Sequence, residues 1–171
     1  MDRPFIDVYM MGIAMMAASR ATCARRAVGC VLVNKLNHII ATGYNGVPRG
    51  MAHCAVIKCP GADAPSGQSL DGCMATHAEQ NALLQCRDVE TITTAYVTAQ
   101  PCISCTKLLL NTGCTRIVYL EPYPHEMAQT LWRLAGREMS MLGTDGLAQL
   151  HELFRMQSER SHRALTTLTP G

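Results

Sequence analysis

The spacing of apolar residues changes several times along the chain, and each change predicts a different element of secondary structure. Residues 5–19 carry apolar side chains at intervals of three or four positions and are predicted to form an amphipathic helix. β-branched residues over 27–34 and 38–43 flank a polar turn at 35–38, which predicts a β-hairpin. Helical patterns recur at 76–87, 103–111, 127–137 and 145–159, and short apolar runs predict strands at 95–99, 116–120 and 139–142.

Helices that alternate with strands after an initial hairpin are typical of a three-layer α/β domain. We therefore expect an α/β/α fold with a mixed five-stranded sheet, parallel beyond the hairpin, and helices on both faces. A chain of 171 residues suits one domain, placed at residues 1–160, with a flexible C-terminal tail at 161–171. Residues 44–75 are rich in Gly and Pro and lack periodicity; a loop this long is usually functional or held by a metal.

Two short motifs supply the candidate chemistry. His-Ala-Glu at 77–79 offers an imidazole and a carboxylate, and Pro-Cys-Ile-Ser-Cys at 101–105 offers two thiols. Zn²⁺ takes nitrogen and sulfur ligands in a tetrahedron, and three protein ligands leave a fourth position for water, as in catalytic sites. We therefore predict one zinc per chain, bound by His77, Cys102 and Cys105. Glu79 would move protons between that water and a substrate.

Each motif also has a structural interpretation. Thr76 and Glu79 have the spacing of a helix capping box, in which Glu79 would satisfy a backbone amide instead of moving protons. Cys102 and Cys105 have the spacing of a redox pair. Both motifs nevertheless fall where the chain is predicted to enter a helix. Two positive helix ends would then face one metal and lower the pKa of the thiols.

The composition limits the kinds of molecule that the protein is expected to bind. The chain carries 15 basic and 13 acidic residues, a formal charge of +2, which is too balanced for a protein that tracks a long phosphate backbone. Its start lacks the segments of a signal peptide, and the apolar helix at 5–19 is too short to span a bilayer. We expect a cytoplasmic protein (in the host cytoplasm for a viral chain) without membrane or nucleic-acid partners. Its nine cysteines are then ligands or buried thiols rather than disulfides.

The two motifs sit within longer stretches of similarity. These are Val-Gly-Cys-Val-Leu-Val at 28–33, Thr-Gly-Tyr-Asn-Gly-Val-Pro-Arg-Gly at 42–50 and His-Ala-Glu-Gln-Asn-Ala-Leu at 77–83. His-x-Glu followed by Pro-Cys-x-x-Cys is the signature of zinc-dependent nucleobase deaminases. With these stretches, roughly residues 5–145 resemble the deoxycytidylate (dCMP) deaminases of the cytidine deaminase superfamily. The Gly-Tyr-Asn-Gly-x-Pro segment resembles that family rather than nucleoside or tRNA deaminases.

The resemblance implies a cytidine-deaminase-like fold and zinc-dependent hydrolysis of dCMP to dUMP, which feeds thymidylate synthesis. A water activated at the metal would attack C4 of cytosine. Glu79 would take the water proton, protonate N3 and help to release ammonia. The resemblance also implies that Asn45 hydrogen-bonds the deoxyribose and that Tyr123 lies near the nucleotide. The residues alone also allow structural interpretations. Asn45 precedes Gly46, and Asn-Gly is a common turn sequence because it favours positive φ. Tyr123 would then be an aromatic side chain in the core or at its rim.

Regulation is implied as well. The family has an effector site that involves Gly43, Tyr44, Asn45 and Gly46, where dCTP with Mg²⁺ activates and dTTP inhibits. Many members are homohexamers, and the Met-rich helix at 5–19 offers apolar surface that suits a subunit interface.

Several features stay open. Some family members carry a structural zinc in the loop before His77, and Cys54, Cys59 and Cys73 offer ligands for one, with buried free thiols as the alternative. Cys23, Cys30, Cys86 and Cys114 lie in or beside predicted elements and are expected to be small core residues. Arg25 and Arg26 either hold a phosphate or are solvated.

The rival functions are three. A deaminase of broader specificity would also accept dCDP or dCTP. A nucleic-acid base deaminase would need aromatic platforms and a basic channel, which two Phe, one Trp and a near-neutral charge disfavour. A non-catalytic nucleotide sensor or zinc module is disfavoured because a structural zinc usually has a fourth protein ligand.

Overall fold

A five-stranded sheet organises the computed structural model, which describes residues 3–65, 68, 72–124 and 126–168. The helices are α1 (Ile6–Ala18), α2 (Ala78–Gln85), α3 (Ile103–Leu110), α4 (Met127–Leu134) and α5 (Thr144–Leu168), with a 3₁₀ turn at Val89–Thr91. The strands are β1 (Gly29–Val33), β2 (Ile39–Tyr44), β3 (Thr94–Ala99), β4 (Arg116–Glu121) and β5 (Glu138–Met141). Among the described residues, no helix combines the length and apolarity needed to cross a membrane.

The strand order β2-β1-β3-β4-β5 makes the sheet mixed, as predicted. β1 pairs antiparallel with both β2 and β3, whereas β4 pairs parallel with β3 and β5. The hairpin between β1 and β2 turns at Asn37, whose φ of 58° is tolerated by a short polar side chain. The parallel strands are joined by α3 and α4, which is the connection that parallel pairing requires.

Two hydrophobic cores lie on opposite faces of the sheet. On one face, α1 and α5 cover Val31, Tyr96 and Val118 with buried residues that include Met10, Met11 and Leu150. On the other face, α2, α3 and α4 cover the sheet with buried residues that include Ala78, Ala82, Leu109 and Trp132. The expected three-layer α/β/α arrangement is therefore confirmed, and both motif-bearing helices share one layer.

The ends of two helices differ from the sequence-based expectation. α4 ends at Leu134 instead of residue 137, because Gly136 adopts a positive φ of 69° and its N–H donates to the carbonyl of Arg133. The N–H of Arg137 donates to the carbonyl of Trp132, which completes a Schellman motif.

α5 extends to Leu168, so the expected tail at 161–171 begins inside a helix. No Gly or Pro interrupts residues 147–169, which removes the local signal for an earlier end. Residues 169–171 lie outside the described part.

The long loop after β2 is closed at its neck by a short antiparallel bridge. The N–H of Gly46 donates to the carbonyl of Thr76 at 3.1 Å, and the N–H of Thr76 donates back at 2.9 Å. The start of α2 is therefore fixed to the end of β2. This bridge places the loop beside the helix that carries the His-Ala-Glu motif.

Candidate metal centre and active site

The two motifs meet because each one opens a helix of the same layer. His77 is the residue before α2, and Cys102 is the residue before α3. Cys105 follows Cys102 by three positions, so both thiols lie on one face of the first turn of α3. Chain segments that are 25 residues apart thus bring an imidazole and two thiols together.

The separation of the donor atoms fits a tetrahedral zinc ion. Nδ1 of His77 lies 3.5 Å from Sγ of Cys102 and 3.4 Å from Sγ of Cys105. Bond lengths of about 2.0–2.1 Å to nitrogen and about 2.3 Å to sulfur, at a tetrahedral angle, require an N···S separation of about 3.6 Å. All three ligand atoms lie within 4.8 Å of one another, and no other such group occurs in the part of the chain that the structure describes. The donor set matches zinc in both chemistry and geometry.

Glu79 is free to act at this centre because its neighbour caps the helix. The backbone N–H of His77 donates to Oε1 of Gln80 at 2.8 Å, so Gln80 occupies the capping position. The predicted alternative, in which Thr76 and Glu79 form the capping box, is therefore wrong by one position. Glu79 lies in the first turn of α2 and is only 3% exposed. Its carboxyl group is left to face the donor atoms.

Burial and mutual contact shift the pKa values of the clustered groups. Burial raises the pKa of Glu79, which brings the carboxyl group closer to the range of a general acid or base. A hydrogen bond with Cys105 lowers the pKa of Cys102 to about 4, while the same pairing raises the pKa of Cys105. A hydrogen bond with Cys102 raises the pKa of His77. Negative charge is therefore favoured at Cys102, where a metal cation would neutralise it.

A cavity opens directly above these groups. It encloses about 620 Å³ of empty space, part of which is open to solvent. His77, Glu79 and Cys102 line its floor. Asn45, Tyr123 and Gln100 line its walls, as do Arg25 and Arg26. The two residues expected to bind substrate, Asn45 and Tyr123, thus border the same cavity as the metal ligands.

Besides lining the cavity, the side chain of Asn45 has a structural role. Its Oδ1 accepts a hydrogen bond from the N–H of Val28 at 2.8 Å, and its Nδ2 donates to the carbonyl of Arg26 at 2.8 Å. An amide that meets both a backbone donor and a backbone acceptor is fixed in one orientation. Asn45 therefore anchors the segment that carries both arginines against the end of β2. Among the described residues, one N–H and one lone pair of this amide have no hydrogen-bond partner and could serve a ligand.

The expected effector residues are only partly in the cavity. Of Gly43, Tyr44, Asn45 and Gly46, only Asn45 lines it. Gly43 packs under α2, where a side chain would overlap the carbonyl of Ala78. The carbonyl of Tyr44 accepts a hydrogen bond from Nδ2 of Asn81 at 2.7 Å. The segment is thus bound tightly to α2.

The loop cysteines are near one another without forming a compact metal site. Cys54 and Cys59 lie near enough to influence each other's pKa, and Cys73 also acts on the pKa of Cys59. Their sulfur atoms do not all lie within 4.8 Å of one another. Cys73 and Cys23 instead line the cavity, so the expectation that Cys23 is a core residue is wrong. Cys23 lies in the irregular segment between α1 and β1 and belongs to no strand.

Sequence reasoning missed Gln100. This side chain is 6% exposed, lines the cavity and accepts a hydrogen bond from the N–H of Tyr123 at 3.1 Å. A polar residue directly after β3 was the available signal, because ligands often bind beyond the carboxyl ends of parallel strands. Gln100 holds Tyr123 at the cavity wall.

Comparison of the sequence with a family model and with curated proteins indicates one family. Residues 6–121 match the family described as the cytidine and deoxycytidylate deaminase zinc-binding region. The deoxycytidylate deaminase of Mycobacterium phage D29 is 44% identical over 127 residues, which are 70% of this chain and 97% of the phage protein. ComE operon protein 2 of Bacillus subtilis is 37% identical over 150 residues, 85% of this chain and 75% of that protein.

Other relatives are longer. The deoxycytidylate deaminase of Saccharomyces cerevisiae is 42% identical over 123 residues, which are 71% of this chain but only 39% of the yeast protein. The crystal structure of the dCMP deaminase from cyanophage S-TIM5, in complex with dCMP and dUMP, has a TM-score of 0.64 at 24% identity. That match covers 82% of this chain and 99% of the cyanophage chain and supports the fold.

Proposed function

Because the chain belongs to the cytidine and deoxycytidylate deaminase family, we propose that it hydrolyses dCMP to dUMP and ammonia. One observation carries the proposal: a buried carboxylate, Glu79, lines the same cavity as His77 and Cys102, which with Cys105 supply a nitrogen and two sulfur donors whose separation fits zinc. The relatives at 42–44% identity that are named deoxycytidylate deaminases support the monophosphate as substrate. Production of dUMP suits a role in thymidylate synthesis.

Each residue of the site would have a distinct role in this reaction. His77, Cys102 and Cys105 would hold zinc, whose Lewis acidity makes a water nucleophile available near neutral pH. Glu79 would accept a proton from the attacking water and deliver it to N3 of the cytosine ring. A second proton transfer would carry the amino group away as ammonia, while the water oxygen becomes the C4 carbonyl of uracil. Asn45 and Tyr123, on the cavity walls, would position the deoxyribose and base.

The direct test is a parallel assay. Purified protein is incubated with dCMP, deoxycytidine, dCDP, dCTP and a short single-stranded DNA, and loss of the cytosine absorbance is followed. The expected result is fastest turnover of dCMP, with one equivalent of zinc or more per chain. Equal turnover of dCDP or dCTP would favour the broader deaminase, and turnover of DNA alone the nucleic-acid enzyme. A zinc-loaded protein inactive on all five would overturn the enzymatic proposal.

We also propose that dCTP with Mg²⁺ activates the enzyme and that dTTP inhibits it through the segment Gly43–Gly46. The contacts of Gly43 and Tyr44 with α2 support this, because a ligand on the segment would act directly on the helix that starts beside His77. Coupling of about 1–3 kcal/mol would change apparent affinity roughly 5–150-fold. A dCMP saturation curve unaffected by either triphosphate would remove the regulatory proposal.

We further propose a homo-oligomer, with a hexamer as the expected state. Exposed apolar side chains support it: Phe5 (63% exposed) directly before α1, Tyr9 (48%) and Met16 (62%) on α1, and Leu84 (80%) on α2. Apolar surface of this kind usually marks an interface. Light scattering should give the mass of about six chains, whereas the mass of a single chain at assay concentration would contradict the proposal.

A second, structural zinc bound by Cys54, Cys59 and Cys73 is the remaining proposal. The contacts among these thiols support it, although metal binding must draw the three sulfur atoms closer together. Metal analysis should then give two zinc ions per wild-type chain and one in C59S, with deamination retained. One zinc in both proteins would leave these cysteines as free thiols.

A further inference from the structure

Gln100 is a nearly buried polar side chain on the wall of the cavity. It directly follows β3, is 6% exposed and lines the cavity together with His77 and Cys102. Its backbone N–H donates to the carbonyl of Glu121 at 2.8 Å, which continues the pairing of β3 with β4 beyond the last residue of β3. The sheet therefore fixes the backbone from which this side chain reaches the cavity.

The orientation of the Gln100 amide follows from its contact with Tyr123. Oε1 of Gln100 accepts a hydrogen bond from the backbone N–H of Tyr123 at 3.1 Å. Because a backbone N–H can only donate, the amide atom that faces it must be the oxygen, and the nitrogen Nε2 lies on the other arm of the amide. Accepting this bond also polarises the amide, which makes the two N–H groups of Nε2 stronger donors.

No acceptor for Nε2 of Gln100 occurs in the part of the chain that the structure describes. Native structures rarely leave a buried amide donor unpaired. Among the described residues, the hydroxyl of Thr106 is the one side-chain polar atom that lacks both a hydrogen-bond partner and accessible surface. Nε2 therefore keeps accessible surface, and the space that Gln100 borders is the cavity. Its two donors are available to a ligand bound there.

The chain places Gln100 at the metal end of the cavity. Only Pro101 separates it from Cys102, so the Cα atoms of Gln100 and Cys102 lie within about 7 Å of each other. In the proposed function, the cytosine ring is the part of the ligand that reaches this end. The ring offers two acceptors, the nitrogen N3 and the carbonyl oxygen O2. N3 must receive the proton that Glu79 carries, whereas O2 stays a carbonyl oxygen in substrate and product, which suits a neutral amide donor.

We propose that Gln100 is a specificity-determining residue whose Nε2 donates a hydrogen bond to O2 of the pyrimidine, while its Oε1 holds the backbone of Tyr123. The inference rests on the proposed dCMP deaminase function and names the feature of the base that the site recognises. Adenine has C–H at the corresponding ring position and leaves the donor unpaired, so Gln100 disfavours it. The bond forms with dCMP and dUMP alike and therefore sets affinity rather than rate.

A role limited to holding Tyr123 has different consequences. If Gln100 only fixed the backbone of Tyr123, its loss would move one wall of the cavity and weaken every nucleotide, with or without an oxygen at O2. If Nε2 donates to O2, its loss mainly weakens ligands that carry this carbonyl, because they are left with an unpaired buried acceptor. Two nucleotides, one with the carbonyl and one without it, separate the two roles.

The experiment measures dissociation constants of two ligands by equilibrium dialysis against the zinc-loaded protein. One ligand is dUMP, and the other is the 5′-phosphate of 2-amino-5-(2′-deoxyribosyl)pyridine, which has C–H in place of the C2 carbonyl of cytosine. Q100M keeps a similar length without polar atoms. Q100E keeps an acceptor for the N–H of Tyr123 but loses both donors, and its added charge cancels in the comparison because both ligands carry the same phosphate. Q157M is the control, since Gln157 is exposed on α5 and lies outside the cavity.

The affinity for dUMP should fall roughly 5–150-fold in Q100M and Q100E, which corresponds to about 1–3 kcal/mol for an unpaired buried acceptor. The loss for the pyridine nucleotide should be smaller by at least about fivefold in each variant. Q157M should match wild type with both ligands. If Q100M does not fold, Q100E carries the test, because its carboxylate still accepts from the N–H of Tyr123.

Two results would overturn the inference. Equal losses for the two ligands would leave Gln100 as a support for Tyr123 alone, and an unchanged affinity for dUMP in both variants would show that Nε2 does not contact the base. Wild type that neither converts dCMP nor binds dUMP would instead refute the proposed function, so the two failures are distinguishable.

Discussion

The neighbours Glu79 and Gln80 should separate catalysis from helix capping. Glu79→Gln preserves the size of a side chain that is 3% exposed, so it should leave no cavity. It removes the only proton carrier that the proposed mechanism uses. General acid–base groups contribute about 10²–10⁴-fold in rate, which equals about 2.7–5.4 kcal/mol of transition-state stabilisation. The cap of α2 should persist, because Gln80 still accepts from the N–H of His77 at 2.8 Å.

Gln80→Ala is the matched control. It removes a capping hydrogen bond worth about 0.5–2 kcal/mol, which for a chain of this size is roughly 1–8 °C in Tm. Its kcat should stay within a few-fold of wild type.

The assay is dCMP deamination followed by absorbance, together with zinc content and thermal unfolding of each variant. The expected pattern is opposite in the two variants: E79Q loses turnover and keeps its zinc and Tm, whereas Q80A loses Tm and keeps turnover. If E79Q deaminates dCMP within a few-fold of wild type, the catalytic assignment is wrong. If E79Q unfolds at the lower temperature expected for Q80A, Glu79 is a structural residue after all.

Three further predictions concern the scaffold. Asp7 accepts two hydrogen bonds from Arg116, at 2.8 and 2.7 Å, and these hold its pKa below the usual value. A lowered pKa means that the ionised form stabilises the fold above the unfolded pKa of about 3.9. D7N should therefore lower the free energy of unfolding by about 1–2 kcal/mol at pH 7, and denaturation curves at lower pH should show the difference vanishing as wild-type Asp7 becomes protonated. Arg137 donates to the carbonyls of Leu109, Thr112 and Cys114 at the end of α3, so R137Q should cost about 1–3 kcal/mol of unfolding free energy; an unchanged denaturation midpoint would contradict this. The buried hydroxyl of Thr106 has no partner among the described residues, so T106V should be neutral or stabilising by up to about 1 kcal/mol, and a loss above that would reveal a contact.

The sequence by itself determined the proposed zinc donors and most of the order of elements. His77, Cys102 and Cys105 were identifiable because their types and spacings are local properties, and each motif opens a helix that its own periodicity predicts. The hairpin and the alternation of strands and helices likewise follow from short-range patterns. Sequence spacing alone did not decide whether Glu79 or Gln80 caps α2, since both are suitable capping side chains.

Tertiary structure decided how distant segments share the site. Arg25 meets carbonyls that are 36 to 43 residues away, and Asn45 meets a backbone segment 17 to 19 residues before it. Such contacts depend on how the loop and the end of β2 pack together, which no local pattern encodes. The same reason applies to Cys54, Cys59 and Cys73, for which the family resemblance suggested a second metal site, because the described fold does not bring their sulfur atoms within 4.8 Å of one another. The sequence specifies which side chains can act as metal ligands or hydrogen-bond donors. The distances between such side chains from remote segments depend on how the helices pack on the sheet.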